Sequence, residues 1–508
     1  MLRRATIKNF KRYGPAGETF ELRPTTLLLG ANSAGKSSLF ELLLLMKQSF
    51  QAGAPLQLHT SGPLLALGTF VNVVHGQSPD AEIALTLEDD VLGTVCYAWV
   101  REAAHGRFGV LTRLEVTPPR AARVVLRPAP VPGAQTGERF TVDPSTFSVE
   151  FQEQVTDGDR GFVQQLAGAG EGSVWLQAGE RYELGFQLAP LEYPDADDSG
   201  RDATQGATAA AEQERARRLA EWQRVQEQPW ERRRLGFHLK QAVECFYRLN
   251  DFIERGVTYL GPMRHPGHRL AALRDGRPIE VGATGEYLIE AVARSRGLLE
   301  GLNQDLEAMQ AGYRLETRTP DAMTASIAEL VLRQGDGDKA VRVGLPDVGF
   351  GMRQMLPVLA TNRLAQMEVQ AAHGDRVVNP IVMVEQPELH LHPRLAVGLM
   401  YALVRALVEW RRAAAGSAAP SEPRWEGPLL LLETHSEHMV LRLQRLVRDG
   451  ALDADADVSL LAVEPSEDGT TSTVTRIPLK KTGAFARLWP RGFFRERDDE
   501  LGLVPSSR

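Results

Sequence analysis

The sequence predicts an α/β fold with a β-rich N-terminal lobe and an inserted helical segment. Three observations carry this expectation. A short apolar strand pattern, Thr25–Leu29, runs into a glycine-rich loop and then into Ser37–Phe50, whose apolar residues recur at helical spacing. From about residue 64 to 190 the chain shows short β-like runs, such as Glu82–Leu87 and Val95–Val100, between Gly, Pro and Asp turns. The C-terminal third alternates strand-like and helix-like segments (Ile381–Val384, 394–412, Leu429–Leu432, 436–449), the pattern of parallel strands joined by crossover helices.

Between these parts, Pro194–Gly206 is rich in acids, Gly and Ser, has no apolar periodicity and reads as a linker. Ala207–Arg255 reads as helical, with a break at Pro229. Its arginines (Arg215, Arg217, Arg218, Arg224 and Arg232–Arg234) make it locally basic, and the plain reading is a solvated face laced with ion pairs. No fixed-period repeat or long heptad pattern is present.

Composition excludes several classes. The chain has 508 residues, 58 Lys+Arg against 65 Asp+Glu and a formal net charge of −7. That length suggests roughly two to four domains, and 43% hydrophobic with 24% charged residues is ordinary for a globular protein. Two cysteines, Cys96 and Cys245, form no CxxC pair, which argues against a disulfide scaffold or cysteine-rich zinc site and fits a reducing cytoplasm. No apolar run is long enough for a bilayer, Leu39–Met46 being broken by Glu41. The first residues lack the apolar core of a secretory signal. The acidic balance limits any DNA contact to a local groove, for which the first 50 residues are candidates: Arg3, Arg4, Lys8, Lys11, Arg12, Arg23, Lys36 and Lys47 stand against Glu18, Glu21 and Glu41.

Four motifs carry chemistry. Gly30-Ala31-Asn32-Ser33-Ala34-Gly35-Lys36-Ser37 matches GxxxxGK[ST] and is followed by Ser38. Gly30 and Gly35 let the backbone wrap around phosphates, whose charge suits the amides at a helix N-terminus. Lys36 is placed to reach β- and γ-phosphates, and the Ser37 hydroxyl to bind Mg²⁺. In the second motif the apolar run Ile381–Val384 ends in Glu385, Gln386, Pro387 and Glu388, so a buried strand delivers Glu385 to Mg²⁺ at the carboxyl edge of the sheet. His390 and His392, on the turn after it, suggest a metal pair at first sight. Without a third ligand at convincing spacing they read better as loop-positioning groups.

The third motif, Leu431-Leu432-Glu433-Thr434-His435-Ser436-Glu437-His438, repeats the pattern of an apolar strand ending in polar groups. His435 lies near a γ-phosphate if this strand neighbours the previous one. A Ser–His–acid triad fits poorly, because Ser436 lacks a presenting turn and adjacent strand residues face opposite ways. The fourth, Asp347 to Pro357 with Gly349-Phe350-Gly351 and Gln354, is weak alone and gains meaning from its place before Glu385.

In this order the motifs resemble the ATP-binding-cassette ATPases of the SMC/RecF/OLD branch, and more narrowly bacterial AAA-family ATPases with a DUF3696 C-terminal region. Asn9-Phe10-Lys11, Leu67-Gly68-Thr69-Phe70, Tyr259-Leu260-Gly261-Pro262-Met263-Arg264 and Trp489-Pro490-Arg491-Gly492-Phe493-Phe494 extend the likeness. The resemblance implies a P-loop NTPase of ABC/SMC-head type that binds ATP and Mg²⁺. Its head would be split into 1–193 and 257–485, with a linker and helical insertion at 194–256 and a DUF3696-like tail at 486–508. It implies a site shared across a head-to-head homodimer or higher homo-oligomer. One subunit gives Gly30, Asn32, Ser33, Ala34, Gly35, Lys36, Ser37 and Ser38 with Glu385 and His435, and the other closes Gly349, Gly351 and Gln354 over the γ-phosphate. By the same likeness Gln48 is a candidate Mg²⁺-sensing glutamine; as a sequence feature it is equally a helix-surface Gln.

Two departures stand out. The usual Ser-Gly-Gly signature is replaced by Gly349-Phe350-Gly351, and the usual catalytic Glu by Gln386, which orients a water but cannot accept its proton near neutral pH. Hydrolysis is then slow, or Glu388 substitutes, or ATP serves mainly to hold the dimer. The expected function is a slowly hydrolysing cytoplasmic ATPase switch in bacterial antiphage defence or DNA repair. It would act on DNA or on a separate effector such as a nuclease, since the stretch after Glu464 is too short for a Toprim domain. The competing expectation is a structural scaffold that holds ATP without turning it over. A transporter cassette is disfavoured by the long insertion between Lys36 and Gly349.

Overall fold

The structure, a computed structural model, describes residues 1–130 apart from 55, 103–105, 120 and 122; the strands Val142–Gln152, Gly172–Gln177 and Glu183–Leu188; and 241–489 apart from 266, 275–278, 320–325, 336–339, 372–378, 416–423 and 488. The linker at 194–206, the break at Pro229, the arginines of 215–234 and the Pro490–Phe494 stretch lie outside the described residues. Of the expected helical insertion, 241–251 is helical and passes through a π-helical turn, Phe252–Gly256, into the central sheet.

The N-terminal strands are β1 (Leu2–Lys8), β2 (Glu18–Glu21), β3 (Thr25–Leu29), β4 (Gln57–His59), β5 (Ile83–Asp89), β6 (Gly93–Arg101), β7 (Phe108–Thr117), β8 (Arg123–Pro130), β9 (Val142–Gln152), β10 (Gly172–Gln177) and β11 (Glu183–Leu188). All except β3 form one antiparallel sheet in the order β11-β10-β9-β8-β7-β6-β5-β1-β2, with β4 paired to β7. This is the β-rich lobe expected from the turn spacing.

The C-terminal strands are β12 (Val257–Leu260), β13 (Ala271–Ala272), β14 (Arg314–Arg318), β15 (Ile327–Gln334), β16 (Val341–Gly344), β17 (Ile381–Glu385), β18 (Leu429–Glu433), β19 (Val458–Pro465) and β20 (Ser472–Arg476). The central sheet runs β12-β17-β18-β3-β19-β20. Its first five strands are parallel and β20 is an antiparallel edge. The described helices include α1 (Ser38–Gln51), α2 (Phe70–Val73), α3 (Leu288–Arg294), α4 (Arg296–Ala308), α5 (Phe350–Ala371), α6 (Pro393–Ala415) and α7 (Glu437–Arg448).

Period-2 alternation explains why the apolar runs are continuous. Leu28, Met383 and Leu431 pack on one face with α1 and the lobe, whereas Leu27, Leu29, Val382, Val384, Leu430 and Leu432 pack on the other with α5, α6 and α7. A strand covered on both faces has no solvent side on which to place polar residues. The fold class is therefore the one expected: α/β, with a P-loop sheet and a β-rich N-terminal lobe. Among the described residues no helix is long and apolar enough to cross a membrane.

Helices α4, α5 and α6 are tied together by a buried ionic cluster. Asp305 is 1% exposed and takes two 2.6 Å hydrogen bonds from Arg363, while Arg405 lies 3.4 Å away. The basic side chains near the N-terminus are largely engaged by partners from elsewhere in the chain. Arg3 pairs with Asp90, Arg4 with Glu88 and Lys11 with Glu41; Arg12 and Arg23 donate to the carbonyls of Gly469 and Asp455, and Lys47 to that of Val257. Arg3 and Arg4 stay 41% and 54% exposed in their pairs, so this engagement lowers the local positive charge without removing it.

Candidate nucleotide site

The loop between β3 and α1 takes its shape from residues that tolerate unusual backbone angles. Gly30 (φ 146°), Ser33 (φ 59°) and Gly35 (φ 98°) all have positive φ. At Gly30 space is as restrictive as angle, because a Cβ would lie 2.1 Å from the Val463 carbonyl oxygen on β19. The Tyr13 hydroxyl donates to the Gly35 carbonyl at 2.8 Å and pins the far side of the loop. Asn32 and Ser33 are exposed, Ala34 is buried, and buried Ser38 begins α1. The first-turn amides of α1 stand at the positive end of the helix, an arrangement that suits an anion, with the Ser38 N–H already donating to the Gly35 carbonyl.

Lys36 is 3% exposed and folds over the loop, donating to the carbonyls of Gly30 (3.1 Å) and Ala31 (2.7 Å). Burial lowers its pKa, and the charge of Glu433 opposes that shift. Ser37 occupies the N-cap of α1 but makes no side-chain cap; its hydroxyl donates to Glu433 at 2.6 Å. Glu433, with an oxygen 3.8 Å from Lys36 Nζ, thus touches both side chains that define the loop.

Strand order brings this about. β18 lies between β3 and β17, and parallel pairing sets Glu433 level with Glu385. β17 and β18 are neighbours, as the placement of His435 required. Burial, with the nearby charges of Glu433 and Glu41, raises the Glu385 carboxyl to about 7 against a 2.8 Å hydrogen bond from the Tyr259 hydroxyl. Such a group binds more protons folded than unfolded between its ordinary value and about 7. Its favourable contribution is complete below the unfolded value and is lost as pH rises through about 7. The melting temperature of the ligand-free wild type should accordingly fall more steeply over pH 5–7 than that of Glu385→Gln; parallel profiles would remove Glu385 as the source.

The turn after Glu385 is held by several groups. Gln386 has φ 45°, its N–H donates to the Glu433 carbonyl at 2.7 Å, and its carbonyl accepts from Arg264 at 3.2 Å. Arg264, 6% exposed and lowered to about 10 by burial, also donates to the Glu385 carbonyl at 2.6 Å. Glu388 accepts from the Thr434 hydroxyl (2.7 Å) and the His435 N–H (2.8 Å). Its carboxylate therefore fixes the segment carrying His435, whose own pKa burial lowers, with Lys36 adding to the effect.

His390 stacks edge-on against Phe350 at 4.6 Å, and Arg394 N–H donates to His392. These are loop-positioning contacts, and no group of three metal-binding side chains occurs among the described residues. Gly351 is needed where α5 meets this turn, because a Cβ would lie 2.8 Å from the His390 carbonyl oxygen. Gly349 has open space around it, whereas Gln354 is 1% exposed and sits on the inner side of α5. Gln48 is also 1% exposed; it donates to the His59 carbonyl and accepts from Leu65 N–H. That overturns the surface reading. It also stands eleven residues beyond Ser37 on α1, about 16 Å at 1.5 Å per residue.

Glu433, Tyr259 and Arg264 stand in the candidate site, and the sequence reading gave none of them a role. Glu433 ends an apolar run just as Glu385 does, so the signal was present; Tyr259 and Arg264 carried none beyond the resemblance.

Residues 180–440, just over half of the chain, match the family described as "AAA domain, putative AbiEii toxin, Type IV TA system". The chain belongs to this AAA-domain family. The matched span holds β12, β17, β18 and α5, while the Gly30–Ser38 loop precedes it. No curated protein matches the chain. Distant structural likenesses include an SMC head bound to the C-terminal winged-helix domain of ScpA (10% identity, 94% of this chain and 98% of that one, TM-score 0.37). The SMC head domain from Thermotoga maritima gives 10% identity, the same coverages and a TM-score of 0.36. An SMC head with an extended coiled coil bound to the C-terminal domain of ScpA, from Pyrococcus furiosus, gives 12% identity, 94% and 96% coverage and a TM-score of 0.34.

Proposed function

We propose that this AAA-domain protein is an ATP-gated switch of the ABC/SMC-head kind. Two copies close head to head when the Gly30–Ser38 loop holds ATP, and slow hydrolysis lets them part. The observation that carries this reading is the convergence of Lys36, Ser37, Glu385 and Glu433 at the carboxyl edge of five parallel strands. The Ser37 hydroxyl and the two carboxylates are hard oxygen donors of the type Mg²⁺ takes. When bound, the ion would supply charge neutralisation at the phosphates.

Each residue then has a task. Lys36 holds the phosphates, Arg264 and Tyr259 fix the Glu385–Gln386 turn, and Glu388 keeps His435 in place. Gln386 orients water without taking its proton, which makes turnover slow. Exposed Gly349 and Phe350 are the part of the signature able to meet a facing copy, and buried Gln354 supports them from behind. In this reading 1–193 and 257–485 form the head, 194–256 the insertion and 486–508 a DUF3696-like tail. The protein acts in the cytoplasm through a separate effector or on nucleic acid. The toxin–antitoxin wording of the family description supports a setting in bacterial defence.

Single-turnover hydrolysis tests this reading. Gln386→Glu should speed the chemical step by at least about tenfold, since a positioned general base contributes on the order of 10²–10⁴. An unchanged rate would displace the switch in favour of the scaffold reading, which Gln386 also supports. In that case purified Mg²⁺-loaded dimers would keep their ATP through long incubation, and steady multiple turnover would exclude it.

A further inference from the structure

A cavity of about 770 Å³ opens at the other end of the central sheet, where β3 and β19 begin and where α6 and α7 end. β3 separates it from the Gly30 loop by five residues, about 16 Å of strand. Arg3, Arg411, Arg412, Arg424, Arg448 and Lys481 line it, against two acids. Both acids are already engaged. Asp457 is 1% exposed and holds Arg411 in a two-pronged pair of 2.7 Å bonds, and Asp453 accepts the N–H groups of Asp455 and Ala456.

Arg412, Arg424 and Lys481 form no ion pair within 4 Å among the described residues; the Asp453 carboxylate feels Lys481 and Arg411, and six basic side chains against two acids still leave this concave surface predominantly positive. Basic side chains in the last turn of α6 and α7 suit the helix dipoles, which accounts for Arg412 and Arg448, and Arg411 is held by Asp457. It does not account for Arg424 or Lys481, which belong to neither helix. Trp410 and Trp425 pack edge-to-face, with ring centroids 5.5 Å apart at 71°, and add aromatic surface to the wall; one face of Trp410 is covered by the Arg411 guanidinium, 5.1 Å from its centroid.

We propose that this cavity is a second ligand site, separate from the Gly30–Ser38 loop, that takes a phosphate-bearing aromatic small molecule, a mononucleotide in chemical class. Guanidinium groups match phosphate oxygens two at a time. The indole surface not covered by Arg411 suits a planar base. The volume is that of a small-molecule site. On a chain of net charge −7, a concentration of unpaired cations in one concavity is the feature that sets this place apart.

Equilibrium dialysis of the full-length chain with ADP tests the proposal. Wild type should bind two ADP per chain. Lys36→Ala should keep one, with affinity falling as salt rises and with a change in tryptophan emission. The triple variant Arg412→Gln/Arg424→Gln/Lys481→Gln should keep only the Lys36-dependent one, its affinity for the second reduced at least tenfold. One ADP in wild type, abolished by Lys36→Ala and untouched by the triple variant, overturns this proposal while leaving the switch reading intact. No ADP in wild type sinks both. Inorganic phosphate that binds Lys36→Ala where ADP does not, or a short oligonucleotide that binds where ADP does not, also overturns the mononucleotide assignment.

Discussion

Replacing Lys36 by alanine should lower affinity for Mg²⁺–ATP at the Gly30–Ser38 loop by on the order of 100-fold, with the fold intact by circular dichroism. The side chain is 3% exposed and is held by the carbonyls of Gly30 and Ala31 beside Glu433. Its removal deletes a charge-assisted contact worth about 1.5–3 kcal/mol and leaves the Glu433 carboxylate, 6% exposed, with only the Ser37 hydroxyl. The residual negative potential then faces incoming phosphate. Glu433→Gln offers the complementary test. It keeps an acceptor for Ser37 but removes the charge, so nucleotide affinity without Mg²⁺ should rise while the enhancement given by Mg²⁺ shrinks. Calorimetric titration at matched ionic strength reads both, and a Lys36→Ala protein that binds Mg²⁺–ATP like wild type would refute the site.

Asp305→Ala should destabilise the protein by about 3–5 kcal/mol, the usual cost of removing one partner of a buried ion pair. Asp305 is almost wholly buried, and its loss strands the guanidiniums of Arg363 on α5 and Arg405 on α6. The double variant Asp305→Leu/Arg363→Met, which removes the charge with its main partner, should recover part of the loss. Urea unfolding of the full chain measures this, and a cost below about 1 kcal/mol would mean that water takes over the stranded groups. The cluster also matters beyond stability. It braces α5, which begins at the Gly349–Gly351 segment, against α6, which follows the Glu385 turn. Under the proposed switch, partial loosening should therefore weaken closure of two copies before it weakens nucleotide binding.

Much of the fold was legible in the sequence because its signals are local. Thr25–Leu29, Ile381–Val384 and Leu429–Leu432 are continuous apolar runs, and they occupy the middle of a sheet covered on both faces. The Gly30–Ser38 motif was readable for a similar reason: positive φ and close approach restrict which residues can stand there. His390 and His392 make the kind of contact a turn after a strand makes, His390 edge-on against Phe350 and His392 accepting from the Arg394 N–H. The first 50 residues show what a local count leaves out. A count of basic side chains cannot see that Asp90, Glu88 and the carbonyls of Gly469 and Asp455, far along the chain, neutralise or engage them.

By itself the sequence determined the phosphate loop, the parallel sheet and the carboxylate-ended strands, since backbone angle and period-2 burial leave few alternatives over a handful of adjacent residues. Tertiary structure alone decided that β18 separates β3 from β17. That order puts Glu433 on Ser37 and Lys36, gives Glu385 to Tyr259, occupies Glu388 with Thr434 and His435, and draws Arg412, Arg424 and Lys481 around one cavity at the opposite pole. The physical reason is that a strand's own residues specify its burial and faces, whereas its neighbours are chosen by how distant segments pack. Charges and hydrogen bonds take their roles from those neighbours.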